Sequence, residues 1–360
     1  MAIEIRTAHG DELRKAFALT RAAGLNRRED EDNWLRLKRW SFLESRRLVG
    51  GDPPPGLIAH DDGKAVGFIG FSYRMFRTPG LVTPAVVLCD HAVHPDARGV
   101  VGLMMNRATV EAFTSEETRH TILGLHHTEA AGKIWQRFGA GEVAGSDTTF
   151  SGLLDTANLA TARYPALRPV LRLAQRAGAF GAARRLFAAR GYREISVPAQ
   201  DHGLTITPLQ TSGDLAAEAA FLASCSRPGE MGVVRNGAYL QWRYLDHPDQ
   251  SHRLYIVSRG NQRLGLIALR LSAGMATLCE ALYDAAVPAA AVNLVHAAVS
   301  TARAAGAAYL RAKPVNRAIA KVMSDLHFEI ERKPYNQFWV LPADLIEGEP
   351  VYSFGDASGY

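Results

Sequence analysis

The stretch Val86 to Met105, VVLCDHAVHPDARGVVGLMM, constrains this chain more than any other. Val86 to Cys89 reads as a short apolar strand. The chain turns polar at Asp90 and His91, breaks at Pro95 and crosses a glycine-containing turn, Arg98-Gly99-Val100-Val101-Gly102. The periodicity then predicts an amphipathic helix with Val101, Met104, Met105, Ala108 and Ala112 on one face. A strand feeding a helix through a short glycine turn leaves main-chain N–H groups pointing at open space. With the positive end of the helix dipole behind them, those donors favour a phosphate or pyrophosphate. Arg98 adds a full charge. A plain strand–turn–helix would use the same residues, because a glycine turn alone is a weak signal.

The wording of the turn is more specific. Val93-His94-Pro95-Asp96-Ala97-Arg98-Gly99 resembles the strand-4 to helix-3 junction of the GNAT superfamily of acyl-CoA N-acyltransferases. That family continues Arg-Gly-x-Gly-x-Gly or -Ala. Here Val101 and Leu103 stand where the last two small residues belong, which would bring a Cβ toward the phosphates. A second stretch, Ala131 to Ala140, resembles the family's last helix. Together the two motifs extend the resemblance over about residues 3 to 150. It implies that acetyl-CoA or another acyl-CoA is held by Ala92, Val93, His94, Arg98, Gly99, Val100, Val101, Gly102 and Leu103, with Lys133 and Trp135 from the last helix. Many members carry a tyrosine at the position of Trp135, where it protonates the leaving thiolate. An indole cannot do so, which leaves no acid at all, or His127 or Tyr73, to supply that proton.

The order of elements fits the resemblance. Ile3 to Thr7 reads as a strand, and Gly10-Asp11 opens a helix. A second helix carries Trp34, Leu37 and Trp40. Asp61-Asp62-Gly63, between Leu57–His60 and Ala65–Phe76, is a hairpin signal. His120 to His126 reads as a strand, and Ala130 to Phe138 as a helix ended by Gly139.

The second half repeats the first. Leu57 to Gly70 matches Leu254 to Ala268 as strand–turn–strand, with Gly67 and Gly265 in the same place. Leu88-Cys89-Asp90-His91-Ala92 matches Leu278-Cys279-Glu280-Ala281-Leu282, and Asn316–Phe328 echoes Thr128–Ala140. The fold class expected is therefore α/β (α+β), with two tandem GNAT-like domains, each a mixed, mostly antiparallel sheet flanked by helices. We expect an acyl-CoA-binding domain over 1–150, a helical connector over 151–200, a degenerate second domain over 201–345 and a tail over 346–360. No Arg-Gly turn follows Glu280, so the second copy should bind CoA poorly or not at all.

The connector is arginine-rich. Residues 155 to 195 hold Arg163, Arg168, Arg172, Arg176, Arg184, Arg185, Arg190 and Arg193, against only Asp155 and Glu194. Arg168, Arg172 and Arg176 form one helical stripe. It is either a solvated linker or a docking face for an acidic partner. Aromatic residues are sparse there, which argues against nucleic acid. Tyr239 to Pro248, with Trp242 and Tyr244, resembles a segment of bacterial tandem GNAT-like proteins. It also reads as an amphipathic helix packed on the second sheet.

The chain has 360 residues, 47 % hydrophobic, enough for two cores. The net charge of +5 suits a polyanionic cofactor without requiring nucleic acid. The three cysteines lie in apolar settings, so a reduced, cytoplasmic protein is expected. The start lacks an apolar signal core, and no run is long enough to span a membrane.

Acyl transfer to an amine needs a base, donors for the oxyanion and a leaving thiolate. Asp90, His91, His126 and His127 are the candidates for the base, because the fold implied by the resemblance pairs strands 4 and 5 there. Glu280 holds the place of Asp90 in the second copy, where it would bind the acceptor's ammonium or be structural. No metal site is expected, because no Cys or His pair has ligand spacing. Cys89 and Cys279 read as small buried hydrophobes. The resemblance implies acyl-CoA-dependent N-acyl transfer, of acetyl in the first instance. The acceptor would be a primary amine of a small molecule, such as an amino sugar or an amino-acid-derived metabolite. Two alternatives remain: a Fem-type transferase using an aminoacyl-tRNA, and a non-catalytic acyl-CoA-binding sensor or scaffold.

Overall fold

The computed structural model describes residues 3–25, 29–115, 118–125, 129–176, 181, 193–197, 203–226, 229–272, 274–313, 316–332, 338–346, 348–351, 353 and 356. The strands are numbered β1 to β16 and the first helices α1 to α6, in chain order. One sheet runs β1 (Ile3–Thr7), β2 (Gly56–Asp61), β3 (Lys64–Thr78), β4 (Leu81–Val93), β5 (Thr121–Leu125), β15 (Phe338–Leu341), β6 (Gly141–Glu142). The other runs β14 (Glu329–Arg332), β7 (Thr148–Leu153), β13 (Tyr309–Ala312), β12 (Met275–Tyr283), β11 (Gln262–Ser272), β10 (His252–Arg259), β8 (Leu204–Leu209). The first sheet also takes β9 (Glu230–Val233) beside β3, and β16 (Glu349–Val351) beside β9.

Both sheets are mixed and mostly antiparallel. The parallel pair β4–β5 is joined by α3 (Val100–Phe113), and β12–β13 by the helix Ala290–Ala304. Each such pair needs a crossover of this length. The hairpin β2–β3 closes through Asp62 and Gly63, both at positive φ, as the Asp-Gly signal requires. The repeated glycine has a packing reason. A Cβ on Gly67 would collide with Met105 and Val101 of α3, and one on Gly265 with Leu294 of the matching helix.

The sheets do not follow the halves of the chain. The boundary expected at residue 150 falls inside β7, and β7 sits between β13 and β14 of the second sheet. In return β15 sits between β5 and β6 of the first. The first half thus lends β7 to the second sheet, and the second half lends β15, β9 and β16 to the first. The stretch expected as a tail is built in as well, with β16 paired to β9 and Asp356 buried.

Strand alternation sorts the apolar residues into three clusters. Ile69, Phe71 and Tyr73 of β3 face α3 through Val101 and Met105. Ile267 and Leu278 face the helix Ala290–Ala304. Phe68 and Phe76, with Val87 and Cys89, join Ile256, Leu266 and Cys279 in a core shared by both sheets.

A pseudo-twofold pair marks the junction. The segments Arg39–Leu43 and Gln241–Leu245 are both five-residue π-helical turns. Their Trp40 and Trp242 rings stack at 4.8 Å and 14°. Trp40 Nε1 donates to Trp242 O at 3.0 Å, and Trp242 Nε1 to Trp40 O at 3.3 Å. Arg74 lies 5.1 Å over Trp242, and Arg243 lies 5.5 Å over Trp40. Ring faces attract desolvated guanidinium groups, which eases the burial of these two arginines. Trp242 therefore packs on the first half of the chain, whereas Tyr244 reaches the second sheet.

The connector is helical where described, with α5 (Thr156–Arg163) and α6 (Arg168–Arg176). The side chains of Arg168, Arg172 and Arg176 lie outside the described set, as do residues 182–192. No described helix is long and apolar enough to cross a membrane.

Candidate active site

The end of β4 is where the sheet opens. β4 pairs with β5 only over Ala85–Leu88, yet stays paired with β3 as far as Val93. Among the described residues, no strand pairs with its β5-side edge from Cys89 onward. The register against β3 jumps here, with Gly70 opposite Cys89 and Phe68 opposite Ala92. Asp90 and His91 share Ile69 as their only counterpart, and Asp90 is forced to φ 49°. A non-glycine residue in that region costs about 1–3 kcal/mol, and such strain gathers at functional sites. In the second sheet the β11–β12 register also slips, between Ala268 and Leu269 of β11, with Cys279 of β12 as the extra residue.

His94 makes its own local bonds. Its main-chain N–H donates to Val66 O at 2.8 Å, and its Nδ1 accepts from Asp96 N at 3.4 Å. Its N–H is therefore spent on β3. Alternation along a strand turns the preceding N–H, that of Val93, toward the open edge.

Asp90 is met by the C-terminal end of α2 (Glu31–Lys38). Lys38 Nζ lies 2.8 Å from Asp90 Oδ2, and both side chains are largely buried. The Lys38 ammonium also lies 5.9 Å over Trp34 and 5.7 Å over Phe42. Burial alone would lower its pKa, but the Asp90 charge outweighs it and the net shift is upward. Lys38 therefore stays protonated. Glu29 completes the group and accepts from Asn33 Nδ2 at 3.3 Å. Burial pushes its carboxyl pKa up, Asp90 adds to the rise, and Lys38 opposes it. With two carboxylates around one ammonium the group carries a net negative charge, which suits a cationic amine. Sequence reading missed Glu29 and Lys38, because a charged residue in a loop or at a helix end reads as solvent-facing.

His91 stands next to this group. Its Nε2 is buried and makes no hydrogen bond. Burial lowers its pKa to about 4, so the ring is neutral near pH 7. The unfolded chain, with an ordinary imidazole near 6.5, takes up protons that the folded one refuses. Stability present above about pH 6.5 is thus lost as pH falls toward about 4, by about 3 kcal/mol at most. Urea titrations between pH 7 and pH 4 should show this loss shrinking in His91→Gln. An equal loss in both proteins would place the acid sensitivity elsewhere.

The turn after β4 opens α3 without a side-chain cap. Gly99 takes φ 95°, which glycine alone adopts freely. The first intrahelical bond runs from Leu103 N to Gly99 O, so the N–H groups of Val100, Val101 and Gly102 precede it. Val100 and Leu103 are exposed. The Val101 side chain corrects an expectation: it is buried against Gly67, so its Cβ does not narrow the turn and only its main chain is available. Arg98 is exposed and has no partner among the described residues. These features fit a pyrophosphate.

Other expectations need revision. Trp135 of α4 (Glu129–Arg137) is buried beside Phe138 and presents no face to a cofactor, while Lys133 on the same helix is exposed. Ala92 is buried too. The Tyr73 hydroxyl donates to Pro54 O, and burial pushes its pKa far up, so it is a poor acid for a thiolate. Glu280 is fully buried and already taken: Arg235 Nε donates to it at 2.7 Å and Tyr244 OH at 3.0 Å. It cannot receive an acceptor's ammonium while those bonds stand. His126 and His127 lie outside the described residues.

The second copy lacks the anion-ready turn. Its helix starts after Ala289, at φ 58°, and its first residue, Ala290, is buried. Asp284 stands just upstream and caps Ala286 N at 2.9 Å, adding negative charge where a phosphate would come.

No protein-family model and no curated protein matches the sequence. Solved structures do. A conserved protein of unknown function from Enterococcus faecalis, a probable N-acyltransferase, aligns over 96 % of this chain and 74 % of its own, at TM-score 0.58 and 11 % identity. A GCN5-related N-acetyltransferase from Kribbella flavida aligns over 94 % and 70 %, at 0.56 and 12 %. Another from Anabaena variabilis aligns over 94 % and 72 %, at 0.55 and 9 %. The chain therefore has the GNAT fold, in a mixed α/β arrangement with two separate sheets.

Proposed function

We propose that this protein transfers an acyl group, acetyl in the first instance, from acyl-CoA to a primary amine of a small molecule. The carrying observation is the end of β4, which no described strand covers on its β5 side, with its bulge at Asp90, beside the uncapped start of α3. Arg98 and the N–H groups of Val100, Val101 and Gly102 would hold the pyrophosphate of the acyl donor. The Val93 N–H, turned to the open edge, would donate to the thioester oxygen as it gains charge. Glu29 and Asp90 draw the acceptor's ammonium in, and one carboxylate removes its proton. The free amine forms the new N–C bond, the C–S bond breaks, and the thiol leaves as thiolate. Trp135 offers no proton, and the low pKa of a thiol makes one unnecessary.

Released thiol, followed with acetyl-CoA and a panel of small amines, tests the reading directly. No thiol release above hydrolysis with any amine would reject it. Binding tests the cradle. Calorimetry with CoA should give one site per chain, because only the first copy has the turn. Arg98→Ala should weaken binding by about 1–3 kcal/mol. Two equivalent sites, or unchanged affinity in Arg98→Ala, would refute the assignment.

A further inference from the structure

We propose that His247, Asp249 and His252 form a binding site for a divalent transition-metal ion of the zinc class. The three residues flank the turn that leads from the second π-helical segment into β10. Gln250 takes φ 49°, and its N–H donates to His247 O at 3.1 Å. That strained turn folds the chain back, so that side chains two and five residues apart face one another. One ligand atom from each lies within 4.8 Å of the others. His247 Nδ1 is 2.7 Å from Asp249 Oδ1, and His252 Nδ1 is 3.6 Å from the same oxygen. A tetrahedral zinc ion with bonds near 2.0–2.1 Å sets its ligand atoms about 3.3 Å apart, a value these two separations bracket.

A second observation points to a ligand. The His252 side chain is fully buried; its Nε2 makes no hydrogen bond, and its Nδ1 reaches only the Asp249 carboxylate, at 3.6 Å. Buried polar groups without partners are rare, because each leaves a desolvation cost uncompensated. A metal bound to one nitrogen would remove much of that cost. Asp249 keeps 28 % of its side chain exposed, which leaves an entry path and room for a water as fourth ligand.

The surroundings include opposing charges. Arg270 Nη2 lies 3.8 Å from Asp249 Oδ2, and the Arg243 charge acts on both imidazoles. Ser251 N and Oγ donate to Asp249 Oδ1 at 3.0 and 2.9 Å. The arginines weaken attraction for any cation, so an open site of modest affinity is expected rather than a closed structural one. Arg270 and Ser251 also fix the carboxylate, as outer partners of metal ligands do. Two imidazoles and one carboxylate select zinc, cobalt, nickel or copper over magnesium or calcium. The His247 ring sits edge-on to Trp40 at 4.3 Å, so the ion would also tie this turn to the first half of the chain.

The test uses the full chain without a histidine tag. Titration with Co²⁺ should give a visible absorption band that saturates at one ion per chain and is displaced by Zn²⁺. His252→Gln and Asp249→Asn should weaken binding at least about tenfold, whereas His327→Asn, at an exposed site elsewhere, should not. The melting temperature of the wild-type chain should rise with Zn²⁺ but not with Mg²⁺. No saturable band in the wild-type chain would overturn the proposal without recourse to any variant. So would uptake that survives unchanged in both cluster variants.

Discussion

Glu29→Gln should lower kcat by about 10²–10⁴, or roughly 3–5 kcal/mol of barrier, and leave CoA affinity nearly unchanged. Glu29 is the carboxylate of the site whose pKa is pushed up, by burial first and by Asp90 second. A base above the ordinary carboxylate range takes a proton from an ammonium better than an unperturbed one. Only its ionised form can act, so the rate should fall as pH drops through that raised value. The acid limb should therefore lie above the usual glutamate range and disappear in Glu29→Gln. His91 makes the contrasting case. Its ring is neutral down to about pH 4, so a limb carried by His91 would lie near 4 and not near 6.5. Measuring kcat against pH for Glu29→Gln, Asp90→Asn and His91→Gln separates the three. If Glu29→Gln keeps the wild-type kcat and limb, the base is another group. A limb near 4 lost only in His91→Gln would name that group.

Much of the fold was legible because local chemistry dictates it. The Asp62-Gly63 turn, the Gly99 turn and the repeated Gly67 and Gly265 each answer a constraint that acts over a few residues or one helix–strand contact. The exchange of β7 and β15 was not legible. Thr148–Leu153 and Phe338–Leu341 are short apolar runs that would suit a buried strand in either sheet. Only the three-dimensional docking of the two halves decides which sheet receives them. The same distinction runs through the site. The polar step at Asp90 and the turn at Arg98 stand out in the sequence, whereas the bulge at Asp90 emerges only from the strand register, and Lys38 and Glu29 acquire meaning only when α2 meets the end of β4. The Val101 departure looked damaging in the sequence because its direction was unknown, and burial against Gly67 turns it inward. His247, Asp249 and His252 escaped notice for a similar reason. Their spacing fits no helix, and a turn with positive φ at Gln250 is what unites them.

Strand exchange gives the second copy a role even without a cofactor. β5 pairs with β4 up to the opening, and its other side is held by β15 from the far end of the chain. β9 and β16 brace β3 from the same half. The geometry of the opening thus depends on residues more than a hundred positions away. Truncation after the first half would strip β5 of its neighbour and leave an open, apolar edge.

Replacing Glu280 by glutamine should destabilise the protein by about 3–5 kcal/mol and leave the chemistry of each folded molecule unchanged. Glu280 is fully buried on β12, with Arg235 Nε at 2.7 Å. Arg235 in turn donates to Asp356 Oδ2 at 2.7 Å and to Val233 O at 2.7 Å. The network joins β12 of the second sheet, β9 of the first and the C-terminal segment. Burial pushes the Glu280 carboxyl up while Arg235 pulls it back, and the balance is a raised value. Arg235 is held well above its ordinary range by Asp356 and Glu280, so its charge persists. Removing the Glu280 charge leaves that guanidinium short of one counter-charge in a place water cannot reach. Such a loss costs more than the pair itself contributes, because the desolvation of Arg235 is no longer offset. Urea unfolding at pH 7 measures the change, and steady-state kinetics on the folded fraction measures the rest. A structural Glu280 predicts a large drop in stability with KM for the amine intact. A rise in KM for the amine at unchanged stability would instead give Glu280 the acceptor-binding role, and would require Arg235 to release it when the acceptor arrives.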